Sequence, residues 1–356
     1  MARAGARAHG GARVTLTVVS VAYPFAPVTA DPAGGAEQVL AQLDRALVGR
    51  GHRSIVIACR GSAVAGELAA VPASDAVIDE ARRTEVQVMV RETLGRVLAR
   101  ERVDLVHLHG IDFPAYLPGP AVRTLATLHL PLDWYPAHAL EPGRPDLWLL
   151  PVSDSQARRA PNGARLLPPI DNGVDLDRYR PAGSKGDHAL VLGRIAPEKG
   201  FADAIDAATL ADIELIAAGP AFPYPAHRRY LDQEVRPRLD ARRRWIGAVA
   251  GADKRRLLAE ARCLLIPSTA PETSSLVAME ALASGTPVIA YRSGALPDVV
   301  EHGVTGFVVD DVAGMADAIG RIDAIDPAAC RRAAEARFDA RRTTAAYLAL
   351  YERLAA

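Results

Sequence analysis

Two Rossmann-like α/β domains, each built on a parallel sheet and facing the other across an interdomain cleft, are the architecture the sequence predicts. Three observations predict it. The chain of 356 residues exceeds what one hydrophobic core usually serves. Short apolar runs alternate with longer segments of helical period, the pattern of parallel strands covered on both faces by helices. These runs fall into two series separated by the Pro-, Gly- and Asp-rich stretch 168–186, which reads as an interdomain linker.

In the first series the expected strands are 14–21, 54–58, 103–108, 125–128, 147–152 and 165–167. Val39, Leu40, Leu43 and Leu47 fall on one helical face after the first strand, and Gly51 follows as a stop. The second series comprises 189–192, 213–218, 244–246, 263–267, 288–290 and 307–309. We therefore expect domains at 1–181 and 186–338, with 1–13 as a disordered tail. Residues 339–356 have helical period and are expected to form a terminal helix that packs back toward the first domain.

Lys plus Arg balances Asp plus Glu at 42 each, so no long-range field favours nucleic acid or an anionic bilayer. Cys59, Cys263 and Cys330 are far apart in sequence and imply neither a disulfide frame nor a zinc site. The segment 1–13 lacks the continuous apolar run of a secretory signal, and no run approaches the ~20 apolar residues that span a bilayer. With its Ala- and Arg-rich composition, the chain is expected to be a cytoplasmic bacterial protein.

Ligands of open parallel sheets bind at the carboxyl ends of the strands, so chemistry belongs just after strands and in the cleft. Glu272-Thr-Ser-Ser-Leu-Val-Ala-Met-Glu280 reads as a loop entering a helix near Ser274. The free amides of that helix start, with roughly +0.5 of dipole charge, suit a diphosphate. Glu272 and Glu280 then stand about 12 Å apart at the helical rise, which is comparable with the span from a donor sugar to its ribose. The plainer alternative is a capping Glu and a solvated Glu. In LGRIAPEKG, Arg194 and Lys199 offer two cations to a leaving diphosphate, or are simply solvated. Gly34 and Gly35 open the first helix and permit close backbone approach, while the absence of G-x-G-x-x-G after a strand counts against a nicotinamide-dependent enzyme. His109 and His129 stand at strand ends as donors to sugar or diphosphate, whereas His107 reads as structural. Asp175-Leu-Asp177 resembles a metal-holding D-x-D, but an Asn-Gly turn followed by a capping Asp explains it better. The basic runs 242–244 and 254–256 read as solvated surface, and a contact with anionic lipid stays open.

Taken together, GGAE, VDLVHLHG, TLH, VSDSQAR, IDNGVD, LGRIAPEKG, AAGP, WIGAV and the block from Glu272 through SGTPVIA resemble glycosyltransferase family 4 nearly end to end. The resemblance implies the GT-B double-Rossmann fold and metal-independent transfer of a hexosyl group, with retained configuration, from a nucleotide-diphosphate sugar to an acceptor hydroxyl. It implies an acceptor-side first domain and a donor-binding second one. Arg194 and Lys199 would bind the diphosphate, Glu280 the ribose, and Glu272 would lie beside the sugar. The amides of Thr273, Ser274, Ser275 and Leu276 would lie close to sugar and phosphate, Gly34 and Gly35 would approach from the other domain, and Val249 would wall the base pocket. His109 or His129 would touch the sugar.

Ser274-Ser275 stand where the family often has Phe-Gly, Asp298 replaces a frequent Glu, and the region between Cys59 and Glu101 is short. The base (UDP, GDP or another) stays open, as does the acceptor, whether a small molecule, a glycan or a lipid-linked compound. No cofactor and no metal are expected. An epimerase acting on a nucleotide sugar, or a non-catalytic paralogue that binds one, are the alternatives on the same architecture.

Overall fold

A computed structural model describes residues 15–32, 34–72, 78–141 and 143–356. The tail expected at 1–13, with Val14 of the first expected strand, lies outside the described residues.

The N-terminal half contains β1 (Thr17–Val21), α1 (Gly35–Gly49), β2 (Arg53–Cys59), β3 (Glu67–Val71), α2 (Glu80–Arg100), β4 (Leu105–Leu108), β5 (Thr124–Leu128), α3 (Ala137–Leu140), β6 (Leu147–Pro151) and α4 (Asp154–Ala157). The C-terminal half begins with β7 (His188–Leu192), α5 (Phe201–Leu210), β8 (Glu214–Ala218), α6 (Pro225–Tyr230), β9 (Arg243–Trp245), α7 (Gly251–Glu260) and β10 (Cys263–Ile266). It ends with α8 (Leu276–Ala283), β11 (Val288–Tyr291), α9 (Leu296–Val299), β12 (Gly306–Val309), α10 (Val312–Gly320), α11 (Pro327–Arg337) and α12 (Ala340–Ala355).

Two six-stranded parallel sheets result, ordered β3-β2-β1-β4-β5-β6 and β12-β11-β10-β7-β8-β9. Numbered within its own half, the second order is the first one over again. Each sheet therefore has its switch point between its first and fourth strands, where the helices on either side diverge and leave a crevice. The loops after β1, β4, β7 and β10 all open there.

Local chemistry explains the main elements. In α1, Val39, Leu40, Leu43 and Leu47 are buried against the sheet, and Gly51 at φ +81° turns the chain out of the helix. Two strand expectations differ. Residues 165–167 add only an isolated bridge from Leu166 to Leu149 rather than a strand, because the prolines at 168 and 169 stop the ladder. Conversely, β3 is an edge strand outside the expected set; its apolar run Leu68–Val71 is short, rich in alanine and largely half-exposed, a weak strand signal.

The chain crosses between the halves twice. The linker meets the return strand where Val174 pairs with Asp339, and α12 then packs against α1 and β4. Its Tyr351 hydroxyl lies 2.7 Å from His107 Nδ1, and Tyr347 lies 3.2 Å from Thr127 Oγ1. No helix among the described residues is long and apolar enough to cross a membrane.

Candidate active site in the interdomain cleft

The four switch-point loops enclose a cleft of about 480 Å³. On its C-terminal wall, the loop after β7 carries Arg194 and Lys199 and the loop after β10 carries Ser268 and Glu272. Lys199 Nζ donates to Glu272 Oε1 at 2.5 Å, and Ser268 Oγ donates to the same oxygen at 2.6 Å. Burial by itself would push the Glu272 carboxyl up, but the charge and hydrogen bond of Lys199, with help from Ser268 and Arg194, hold it below the usual range. Arg194 pairs with Glu198 at 2.9 Å and keeps a buried Nε without a partner.

The Glu272 loop is held from behind by Gly294, at φ +57°, where a methyl would overlap the backbone nitrogen and oxygen of Glu272. Ala295 donates its amide to the Glu272 carbonyl at 2.7 Å. We expect Gly294→Ala to cost about 1–2 kcal/mol from backbone strain alone and to displace Glu272. A lowered melting temperature together with reduced donor turnover would show it.

Beyond Glu272 the chain is pinned from the other half. Ser153 Oγ donates to the Thr273 carbonyl at 2.5 Å, Thr273 Oγ1 donates to the His129 carbonyl at 2.9 Å, and Asn172 donates to Ser274 Oγ at 2.7 Å. Ser275 then caps α8 in the left-handed region at φ +56°, its hydroxyl buried and unpartnered. Such strain in a residue other than glycine persists only where its surroundings enforce it. The amides of Leu276 and Val277 find no protein acceptor among the described residues, so the start of α8 presents open donors to the cleft.

Four residues further along, Glu280 is 1% exposed. Its Oε1 accepts from Gln38 Nε2 at 2.8 Å, Tyr179 Oη at 2.7 Å and Lys254 Nζ at 2.7 Å. Its Oε2 is buried without a partner. One oxygen is saturated and the other is fixed in place with spare acceptor capacity.

The N-terminal wall begins with Gly34 and Gly35 at the start of α1. Gly35 comes so near α8 that a methyl on it would lie 3.3 Å from Leu276 Cδ1, so two helix N-termini face one another across the cleft. The Glu37 carboxyl lies back over Gly34, and burial pushes it up despite its own amide and the charge of Arg194. His109 Nδ1 is 3.0 Å from His129 Nε2 with the rings stacked, and His109 Nε2 is buried without a partner. Burial, then neighbouring imidazoles, hold His109 well below its ordinary value, and burial lowers His129 to about 3. Both are neutral near pH 7, and the single proton they share decides whether His109 Nε2 donates or accepts. Tyr23 and Tyr224 close the mouth with a 2.7 Å hydroxyl contact between the halves.

Of the residues singled out in the sequence, Glu272, Arg194, Lys199, His109, Gly34, Gly35, His129, Thr273, Ser274, Ser275, Leu276 and Glu280 line this one cleft. Val249 does not; it lies half-buried against the C-terminal core. His107 is buried and bonded at both nitrogens, to Tyr351 and to Thr127. Asp175 accepts the Asp177 amide at 3.2 Å in a local turn. Sequence reasoning missed Gln38, Tyr179, Tyr224 and Lys254. The basic run 254–256 is not uniform surface: Lys254 reaches Glu280, Arg255 pairs with Asp31 at 3.3 Å, and only Arg256 is mostly exposed. Lys254 shares a helical face with buried Leu257 and Leu258, a spacing that could have marked it.

Paired parallel domains with matching switch points and a cleft lined by Arg194, Lys199 and Lys254 define a double-Rossmann protein of the GT-B class. Comparison with known proteins is consistent with this. Residues 33–178 match Glycosyltransferase Family 4, and residues 186–323 match Glycosyl transferases group 1. The D-inositol 3-phosphate glycosyltransferase of Mycolicibacterium smegmatis is 30% identical over 78% of this chain and 54% of its own length. That of Saccharomonospora viridis is 33% identical over 54% of this chain and 50% of its own. The chain thus spans about half the length of these curated relatives.

Among solved structures, AviGT4, a glycosyltransferase involved in avilamycin A biosynthesis, is 26% identical with TM-score 0.71, covering 96% of this chain and 98% of that one. Anabaena HepE in complex with UDP and glucose shares the fold at 19% identity and TM-score 0.72, over 95% of this chain and 99% of that one. The chain belongs to the family 4-like glycosyltransferases of GT-B fold.

Proposed function

We propose that this chain transfers a hexosyl group from a nucleotide-diphosphate sugar to an acceptor hydroxyl, with retention and without a metal. The observation that carries the reading is the meeting of two helix N-termini with Arg194, Lys199 and Lys254 in one cleft. Such an arrangement favours a diphosphate over a neutral ligand. The UDP and UDP-glucose held by HepE structures of the same fold agree with it.

In this reading the diphosphate lies between the starts of α1 and α8. Arg194, Lys199 and the open amides of α8 stabilise the charge that grows as the glycosidic bond breaks. Glu280 Oε2 accepts from ribose hydroxyls. His109 Nε2 and Glu272 orient the sugar, and the acceptor hydroxyl attacks from the face the diphosphate leaves, passing its proton to a phosphate oxygen. Fixed cations supply the neutralisation that Mg2+ supplies elsewhere, so we expect EDTA to leave turnover unchanged. Turnover that collapses with EDTA and returns with Mg2+ would contradict this. We further propose that the reaction takes place in the cytoplasm.

The nucleotide assignment is tested by calorimetry. Glu280→Gln is expected to weaken UDP about ten- to hundredfold while changing the affinity for 2′,3′-dideoxyuridine diphosphate little, because the amide oxygen can still accept from Gln38, Tyr179 or Lys254 while an NH2 replaces the Oε2 acceptor offered to the ribose. Equal losses for both nucleotides would remove Glu280 from the ribose. Conversion of donor to its epimer without acceptor, followed by NMR, would replace transfer as the activity.

A further inference from the structure

We propose that the N-terminal wall of the cleft is an acceptor subsite for an uncharged, hydroxylated ring, with Trp134 as its stacking surface. The inference rests on the donor reading above, which places the nucleotide sugar between the C-terminal wall, the start of α1 and His109 and leaves the strip of the N-terminal wall around Trp134 open.

The first argument is the partition of charge. The cleft's cations, Arg194, Lys199 and Lys254, all come from the C-terminal half. Among the described residues, the N-terminal wall offers no lysine or arginine, and its ionisable groups are Tyr23, Glu37 and the neutral pair His109 and His129. The nearby Arg83 lies outside the lining, where its charge acts on Asp112 and Tyr23. Asp112 in turn accepts from Tyr116 at 2.9 Å and Gln87 at 3.0 Å. A phosphate ester, at about −1.5 to −2 charges, would sit against this wall with no cation to meet it and with Glu37 close by. A neutral ring meets no such penalty.

The second argument is shape. Trp134 ends the short turn Leu132–Trp134 after β5 and is 39% exposed at the cleft, beside Ile111, Leu130 and Pro131. The turn is anchored by buried Leu132 and by Tyr135, whose hydroxyl accepts the Leu130 amide at 3.4 Å. The other tryptophans are engaged: Trp245 donates to the Gly219 carbonyl at 3.1 Å beneath Arg236, and Trp148 packs against the core. A held, open indole beside an apolar strip matches the C–H face of a sugar ring, and polar groups beyond it can orient hydroxyls.

The test uses the full chain saturated with UDP and saturation-transfer NMR. The probes are phenyl β-D-glucoside, phenyl β-D-galactoside and phenyl α-D-mannoside on one side and myo-inositol 3-phosphate on the other. At least one neutral glycoside is expected to bind, Trp134→Ala to weaken it about tenfold and Trp134→Tyr to retain most of the affinity, with no binding of the phosphate ester. Preference for the phosphate ester, equal glycoside binding by Trp134→Ala and the parent chain, or no glycoside binding would overturn the proposal. UDP calorimetry on each variant shows that it is folded, and failure of the parent chain to bind UDP would sink the donor reading instead.

Discussion

Lys199→Ala should lower turnover by about 10^2-fold or more, a larger effect than any other single replacement in the cleft. Two losses coincide. The leaving diphosphate loses a cation fixed in the cleft. Glu272 also loses the partner that offsets its burial, so a carboxyl held below its usual range rises and its orientation is freed. Arg194→Ala should cost less, because its ion pair is to Glu198 in its own loop and its loss leaves the Lys199 contact to Glu272 in place. Lys199→Arg should not restore the rate, since the 2.5 Å contact to Glu272 leaves no room for a guanidinium. Steady-state nucleotide release, read beside UDP affinity, is the measurement. A kcat for Lys199→Ala within a factor of about two of the parent would remove Lys199 from the transition state.

The part of the site legible in the sequence is the part built on local grammar. Glu272, Ser274, Ser275 and Glu280 follow a strand and enter a helix, and Arg194 and Lys199 follow another strand, so the carboxyl-end rule finds them without knowledge of the partner half. Gln38, Tyr179 and Lys254 could not be found that way. They matter because they converge on one oxygen of Glu280 from α1, the linker and α7, and no single stretch of chain records that meeting. Val249 shows the converse: it lies in the WIGAV segment, yet its side chain packs against the C-terminal core and is not part of the cleft lining. In the fold, central strands announce themselves by apolar runs. The edge strand β3 does so only weakly, because with one neighbouring strand its short run can be rich in alanine and stay largely half-exposed.

Acid should destabilise this protein from about pH 6.5 downward, through histidines rather than through surface ion pairs. His107 and His109 are 0% and 2% exposed, and burial holds both well below their ordinary value. The folded chain therefore keeps them neutral where the unfolded chain protonates them. The sign follows: the unfolded state binds more protons, so stability is complete above the unfolded value of about 6.5 and falls as pH descends toward the depressed folded values. Each such group contributes a slope of up to about 1.4 kcal/mol per pH unit, so the pair removes at most about 4 kcal/mol by pH 5. His129, lowered to about 3, opens onto the cleft and adds less than a fully buried group would. Glu37 and Asp112 act the other way in a lower window, since burial raises their carboxyls and the folded state holds their protons.

Urea midpoints from pH 7.5 to 5 would give the slope. His107→Gln can still bond Tyr351 or Thr127, and it should flatten the slope by about one group's share whatever it does to stability at pH 7.5. If the parent chain holds a constant midpoint down to pH 5, these imidazoles are not buried neutral. The wall that places His109 Nε2 in the cleft would then need a different electrostatic account.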